Sequence, residues 1–275
     1  MKKLIILLSL IVLSFTLFAK DTPFCGSSTA KGDNCYLLLK DIYPTQANIG
    51  EYQVKVRNLP KYQEIGDKAF DKTHSAADVQ KAIEKEQAKK IFPVIKAPDG
   101  NFYLVDRHHN TRAIYEYYLT NERELHTDPL GVRVLMTVEK DYSDSATMQD
   151  FWEKMEQKNY FWPYEFDQKT KEYIGYDYAS LPTNIVSLGN DPYRSAMGLA
   201  QKEAFEDPSS DDIFFFQFKW GKCAEQLGFI DPLKFDNTEE VVRRSVDFLT
   251  NNGDEMKAKC IGKGYENMPI PKKSS

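Results

Sequence analysis

Histidine is nearly missing from this chain, with only four in 275 residues. Any chemistry that needs an imidazole must draw on that small set, and two members, His108 and His109, are adjacent. Cysteine is as scarce: Cys25, Cys35, Cys223 and Cys260. They form no C-x-x-C pair and have no matching histidine spacing, which argues against a structural zinc site. Excess positive charge is missing too. Thirty-six basic residues face 41 acidic ones, for a formal net charge of −5. A long nucleic-acid track, which needs a basic footprint, is not indicated. Beyond the first residues no apolar run approaches membrane-spanning length, and the chain has no internal repeat and no low-complexity segment.

What is present begins at the start. Met1-Lys2-Lys3 is a short cationic lead, and Leu4 to Phe18 is apolar apart from Ser9, Ser14 and Thr16. Ala19 then offers a small residue for cleavage before Lys20-Asp21. That order is the one found in secretory signal peptides. The run, at about 15 residues, is shorter than the roughly 20 needed to span a bilayer. Residues 1–19 are therefore expected to be a signal peptide, leaving a periplasmic or secreted chain. Losing Lys2 and Lys3 makes that chain more acidic still. An even cysteine count in an exported protein reads as disulfides. Three connectivities exist, and the local pairing of Cys25 with Cys35 and Cys223 with Cys260 is preferred.

Residues 20–140 read as a compact α+β unit. Cys35 to Tyr43 is apolar enough for a strand, broken by Pro44 to Gly50. Glu51 to Ile65 carries Val54, Val56, Leu59, Tyr62 and Ile65 at mixed spacing, with helix the better description. Ser75-Ala-Ala-Asp78 is a capping-box pattern ahead of a Lys/Glu-rich surface helix. Ile91 to Lys96 and Phe102 to Asp106 flank Pro98-Asp99-Gly100, a hairpin signal. Gly131 to Glu139 alternates cleanly and predicts a strand. Residues 141–268 turn mainly helical, with helices over Thr147–Asn159, Arg194–Phe205, Asp211–Leu227, Thr238–Asn252 and Asp254–Gly262. Residues 269–275 form a polar tail expected to be disordered.

The densest chemistry lies in Phe102 to Ala113. A buried strand stops at Asp106 and turns directly into a helix starting near His108. The unpaired N–H groups and positive dipole end of such a helix favour an anion. Arg112, about one turn in, can fork two donors onto a phosphate. Asn110 and Thr111 belong to the same turn and contribute to phosphate binding. His108 or His109 supplies a proton-transfer group, and Asp106 either orients an imidazole or binds Mg²⁺ through water. The competing structural explanation is a helix cap by Asp106 or Asn110, with both histidines satisfied by backbone. Neighbouring histidines point about 100° apart on a helix, so they do not share a metal, and no metal ligand set is expected. Asn190-Asp-Pro-Tyr-Arg-Ser195 is a second candidate, with Asp191 capping a helix and Arg194 able to meet an anion. The aromatic runs Tyr160 to Phe166 and Phe214 to Phe216 read as core.

Val105-Asp-Arg-His-His-Asn-Thr-Arg-Ala113 resembles the D-x-H-H-x-x-x-A/R motif of the ParB/sulfiredoxin superfamily. The closer likeness is to its ParB-like branch, described as nucleases. Pro44-Thr-Gln46, with Gly50 following, and Asp191-Pro-Tyr-Arg-Ser195 are similar as well, so the resemblance runs from Tyr36 to Glu225. It implies a small mixed β-sheet with helices, followed here by the mainly helical C-terminal half. It also implies a phosphate loop built from Asp106, His108, His109, Asn110 and Arg112, with Gln46 near the pocket. The catalytic cysteine of sulfiredoxins is replaced by Arg107-His108, which excludes that reductase chemistry. There is no helix-turn-helix signature, and an exported chain meets little ATP or CTP. The expected function is a phosphohydrolase or nuclease acting on a phosphate ester, with Mg²⁺ the candidate cofactor. The alternative is a non-catalytic nucleotide- or anion-binding module of the periplasm. Its partner in either case is a phosphate-bearing small molecule or a nucleic-acid fragment.

Overall fold

The computed structural model describes residues 22–204, 214–228 and 238–251. The expected signal peptide, the helix over Asp254–Gly262, the tail and Cys260 lie outside these residues. Nine strands and seven main helices are described here in chain order: β1 (Asn34–Leu38), β2 (Ile42–Pro44), β3 (Asn48–Ile49), α1 (Leu59–Thr73), α2 (Ala76–Gln87), β4 (Phe92–Lys96), β5 (Phe102–Leu104), α3 (His108–Thr120), β6 (Arg133–Asp141), α4 (Met148–Gln157), β7 (Tyr164–Phe166), β8 (Tyr173–Gly175), β9 (Gly189–Asn190), α5 (Pro192–Ala204), α6 (Phe216–Gln226) and α7 (Thr238–Asn251). This is an α+β fold.

Five strands form one mixed sheet in the order β1-β6-β4-β5-β2. β6 is antiparallel to β1 and parallel to β4, β4 and β5 form the expected hairpin, and β2 runs parallel to β5. The hairpin turn uses Gly100 at φ +83°, a left-handed conformation that costs glycine nothing. The single strand expected over Cys35 to Tyr43 is in fact two. The 3₁₀ turn Leu39–Asp41 divides it, and its halves occupy opposite edges of the sheet. Edges of a flat five-stranded sheet lie about 19 Å apart. Three residues of 3₁₀ helix rise only about 6 Å. The sheet must therefore curl until its edges approach, and it does.

One face of the sheet packs on α1, α2 and α3 through Tyr62, Val79, Ile83, Ala113, Ile114 and Tyr117. Approach there is close: a Cβ on Gly66 would lie 2.2 Å from the Tyr117 ring. Around the opposite side, Ile95, Tyr103 and Val105 pack with Phe151, Trp152, Met155, Tyr160 and Phe161. A third cluster joins α5, α6 and α7 through Tyr193, Met197, Trp220 and Phe248. Of the aromatic runs, Tyr160, Phe161, Trp162 and Phe166 are core, whereas Phe215 and Phe216, though buried, line a cleft together with the half-buried Phe214. Cys25 and Cys35 form a disulfide that ties the N-terminal loop to β1.

Two local expectations change. Ser75 stands before α2 in extended conformation, but its side chain makes no capping bond; only its backbone carbonyl accepts, from Asp78 N and Val79 N. Gly131 to Glu139 becomes a 3₁₀ turn at Pro129–Gly131 followed by β6, so the strand starts and ends two residues later.

Candidate functional site

One short backbone ladder places the site. β3 pairs parallel with β9, so the chain after Pro44 meets the chain before α5. The helical run that begins at Glu51 starts against that junction. Its first N–H groups have no local cap and are met by side chains from elsewhere: Gly50 N donates to His109 Nε2 (2.9 Å), Glu51 N to Asn190 Oδ1 (3.2 Å) and Gln53 N to Ser195 Oγ (3.4 Å). Contact is tight enough that a Cβ on Gly50 would lie 2.7 Å from Ser195 Oγ. Asp191 caps α5, accepting from Arg194 N (2.8 Å) and from the Tyr173 hydroxyl (2.7 Å). Burial pushes the Asp191 carboxyl up to about 6, against those stabilising bonds.

The third helix start, at α3, is different. Arg107 precedes it in the left-handed region at φ 73° and gives it no side-chain cap. Asp106 turns back to accept from Arg107 N (2.7 Å) and pairs with that guanidinium at 3.3 Å. Helix geometry leaves the first N–H groups of such a helix without intrahelical partners. His108 and His109 are both buried. His108 Nε2 accepts from Thr45 N at a long 3.4 Å, and its ring also bonds the Leu104 carbonyl. Thr45 Oγ1 donates to the same carbonyl (2.8 Å). The two imidazoles thus hold the two ends of the Thr45–Gly50 loop. Desolvation, then the nearby Arg194 charge, pushes His108 down to about 3 and His109 well below its usual value. Both rings are neutral hydrogen-bond acceptors. Their Nε2 atoms are occupied and do not stand free for proton transfer.

A cleft of about 490 Å³ opens beside the α3 start. Six cationic side chains line it (Arg57, Lys61, Lys90, Arg107, Arg194 and Lys202), and Asp106 is the one carboxylate among its described lining. Arg194 is the buried member, 8% exposed. One of its terminal nitrogens donates to Gln53 Oε1 (2.7 Å), the guanidinium lies 5.2 Å over the Phe218 ring, and its Nε is buried with no partner. Burial lowers its pKa to about 10, opposed by Asp191 and Asp106, so it stays charged at neutral pH.

Of the residues singled out from sequence, Gln46, Asp106, His108, His109, Asn110 and Arg194 line this one cleft. Gln46 is fixed by donation to Asn48 O (2.6 Å), and Asn110 Oδ1 accepts from Asn58 Nδ2 (2.6 Å). Arg112 and Thr111 are not brought to it. Arg112, displaced one turn along α3 from its N-terminal end, donates instead to Glu116 Oε1 (2.8 Å) and to Val186 O (2.9 Å). Thr111 is fully buried and returns its hydroxyl to Arg107 O (3.0 Å). Of the cysteines, Cys25 and Cys35 are paired and Cys223 is buried, and none lines the cleft.

Gln53, Arg57, Asn58, Lys61 and Arg107 were not singled out from sequence, yet they line the cleft. The first three flank or occupy a π-helical turn, Val54–Asn58, set within the run ahead of α1. Such turns recur at functional sites. The one sign of it in the sequence is the irregular apolar spacing at Val54, Val56, Leu59 and Tyr62, which does not keep the period of a regular helix. Mg²⁺ fits this residue set poorly. It is held through one or two carboxylates plus substrate phosphate. Asp106 alone is available and is already paired with Arg107. Among the described residues no cluster of three or more His, Cys, Asp or Glu side chains forms a metal site.

The family model described as "Putative ParB-like nuclease" matches residues 35–226. That is well over half of the chain, which belongs to this ParB-like family. Among solved structures it is similar to protein Atu1540 from Agrobacterium tumefaciens, at 18% identity and a TM-score of 0.60. The similarity covers 90% of this chain and 100% of that one, a likeness of fold. No curated protein matches.

Proposed function

We propose that the cleft binds a phosphate-bearing ligand and that the protein hydrolyses a phosphate ester there, as a nuclease or related phosphohydrolase. The observation that carries this is local charge reversal. Six cations and one carboxylate line a single cleft in a chain whose net charge is −5. The uncapped α3 start and Arg194, whose Nε has no hydrogen-bond partner, line the same cleft, as donors able to meet oxyanion oxygens. Fixed donors of this kind stabilise the charge that builds on phosphoryl oxygens during transfer. In hydrolysis water forms the new P–O bond and the ester P–O bond breaks. Asp106 is the group able to accept the proton of the attacking water, since both imidazole Nε2 atoms hold backbone N–H groups. No step is routed through Mg²⁺. The Cys25–Cys35 disulfide and the N-terminal sequence support a site of action outside the cytosol. Among the described residues no helix is long and apolar enough to cross a membrane.

A second reading, binding without turnover, is favoured by the state of the two histidines. A panel of phosphodiesters and phosphomonoesters, offered to purified chain with and without Mg²⁺, separates the two. Turnover lost in both Asp106→Asn and Arg194→Lys supports hydrolysis. Binding that survives without turnover supports the second reading. Neither binding nor turnover would overturn both.

A further inference from the structure

We infer that the cleft takes a terminal phosphate, a monoester of about nucleotide size, rather than an internal phosphodiester of a long strand. This rests on the phosphate reading above and narrows its substrate class. Three observations carry it. The first is depth: Arg194 is over nine-tenths buried, yet it lines the cleft and its Nε has no hydrogen-bond partner. A phosphate in mid-strand carries a nucleotide on each side, and both would have to enter with it. A terminal phosphate has one substituent and three oxygens to offer.

The second is size. A space of about 490 Å³ sits near the low end of the range for small-ligand sites, which begins at about 300 Å³. It admits one nucleotide-sized compound and leaves no room for a duplex about 20 Å across. The third is where the charge lies. Sequence-independent binding to a strand needs cations spaced along a path of several phosphates. Here they converge on one cleft, and the chain as a whole is acidic. Arg57, one of these cations, is anchored by donating to Gly198 O (2.9 Å). If the bound ester is hydrolysed, water attacks the terminal phosphorus, the ester P–O bond breaks, and an alcohol and inorganic phosphate are released.

The ligand can be a free nucleotide or sugar phosphate, or the phosphorylated end of a single strand; the shared chemistry is the terminal monoester. The test is calorimetric titration of the intact chain with inorganic phosphate, 5′-AMP, a thymidine dinucleotide with and without a 5′-phosphate, a 20-mer with and without one, and a 20-base-pair duplex. The terminal phosphate is expected to strengthen dinucleotide binding by about tenfold or more, the size of one good charge-assisted contact. Lengthening to the 20-mer should add less than about threefold and no steeper salt dependence. Arg194→Lys keeps the charge but removes the Nε donor, and should cancel most of the tenfold gain. Affinity that rises with length regardless of the terminal phosphate, or tight duplex binding, would overturn the inference while leaving phosphate binding intact. If even inorganic phosphate and 5′-AMP fail to bind, the phosphate reading falls and this falls with it.

Discussion

Two walls of one cleft carry buried polar side chains, and they have opposite fates. On the α3 wall, His108 and His109 are neutral and already bonded to the backbone of the Thr45–Gly50 loop. On the α5 wall, Arg194 is charged, equally buried, and keeps an Nε without a partner. The histidines dominate the sequence by their rarity and adjacency, yet their bonds are directed inward. The arginine belongs to the less conspicuous second motif, yet it holds the incomplete bond. A buried polar group that is satisfied shapes the protein; one that is unsatisfied carries a cost that a ligand can relieve.

Breaking the arginine wall should have the largest effect. Arg194→Ala removes the buried cation and strands Gln53 Oε1, and phosphate-ester affinity should fall about 100-fold by calorimetry, or ~2.7 kcal/mol. An unchanged affinity would place the anion elsewhere. The histidine wall should answer in stability instead. His109→Ala leaves Gly50 N buried without an acceptor, costing about 1–3 kcal/mol in denaturant unfolding, while binding below the melting range persists. Turnover abolished at unchanged stability would make that imidazole reactive and erase the contrast.

Acid tests the same wall more gently. The His108 pKa is depressed to about 3 in the folded chain against an ordinary 6.5. Its stabilising contribution is therefore complete above about 6.5 and is lost as pH falls from there towards 3. His109 acts in the same direction. Asp191 opposes them: raised to about 6 from 3.8, its contribution declines as pH rises between those values. The two histidines should win, so that unfolding midpoints fall between pH 6.5 and 4, with a shallower fall in His108→Gln. The smallest effect belongs to Arg112. Arg112→Ala should cost about 1 kcal/mol through the Glu116 and Val186 bonds and leave phosphate affinity unaltered.

Much of the fold was legible because it rests on local signals. The β4–β5 hairpin, the alternation of β6 and the strand–helix junction at Asp106 each follow from short-range composition. The motif residues Asp106, His108, His109 and Asn110, together with Gln46 and Arg194, line one cleft. Two kinds of information were not local. Where Arg112 binds depends on the Val186 carbonyl, 74 positions later in the chain. What the histidines bond depends on a loop some 60 positions earlier, at Thr45 and Gly50. Likewise, Cys35 to Tyr43 is one apolar run, and only the curl of the whole sheet reveals why it must break at Leu39.

The β3–β9 ladder is only two residue pairs long, yet it has a consequence for how the protein is assembled. It joins Asn48–Ile49 to Gly189–Asn190, and the Gln53–Arg194 bond beside it spans 141 positions. Closing so long a loop comes late in folding, after the nearer contacts have offset part of its entropy. No fragment ending before Arg194 holds both walls. Any ligand that needs both walls would thus report completed folding, and an emerging chain can hold it only once the sequence through α6 has arrived.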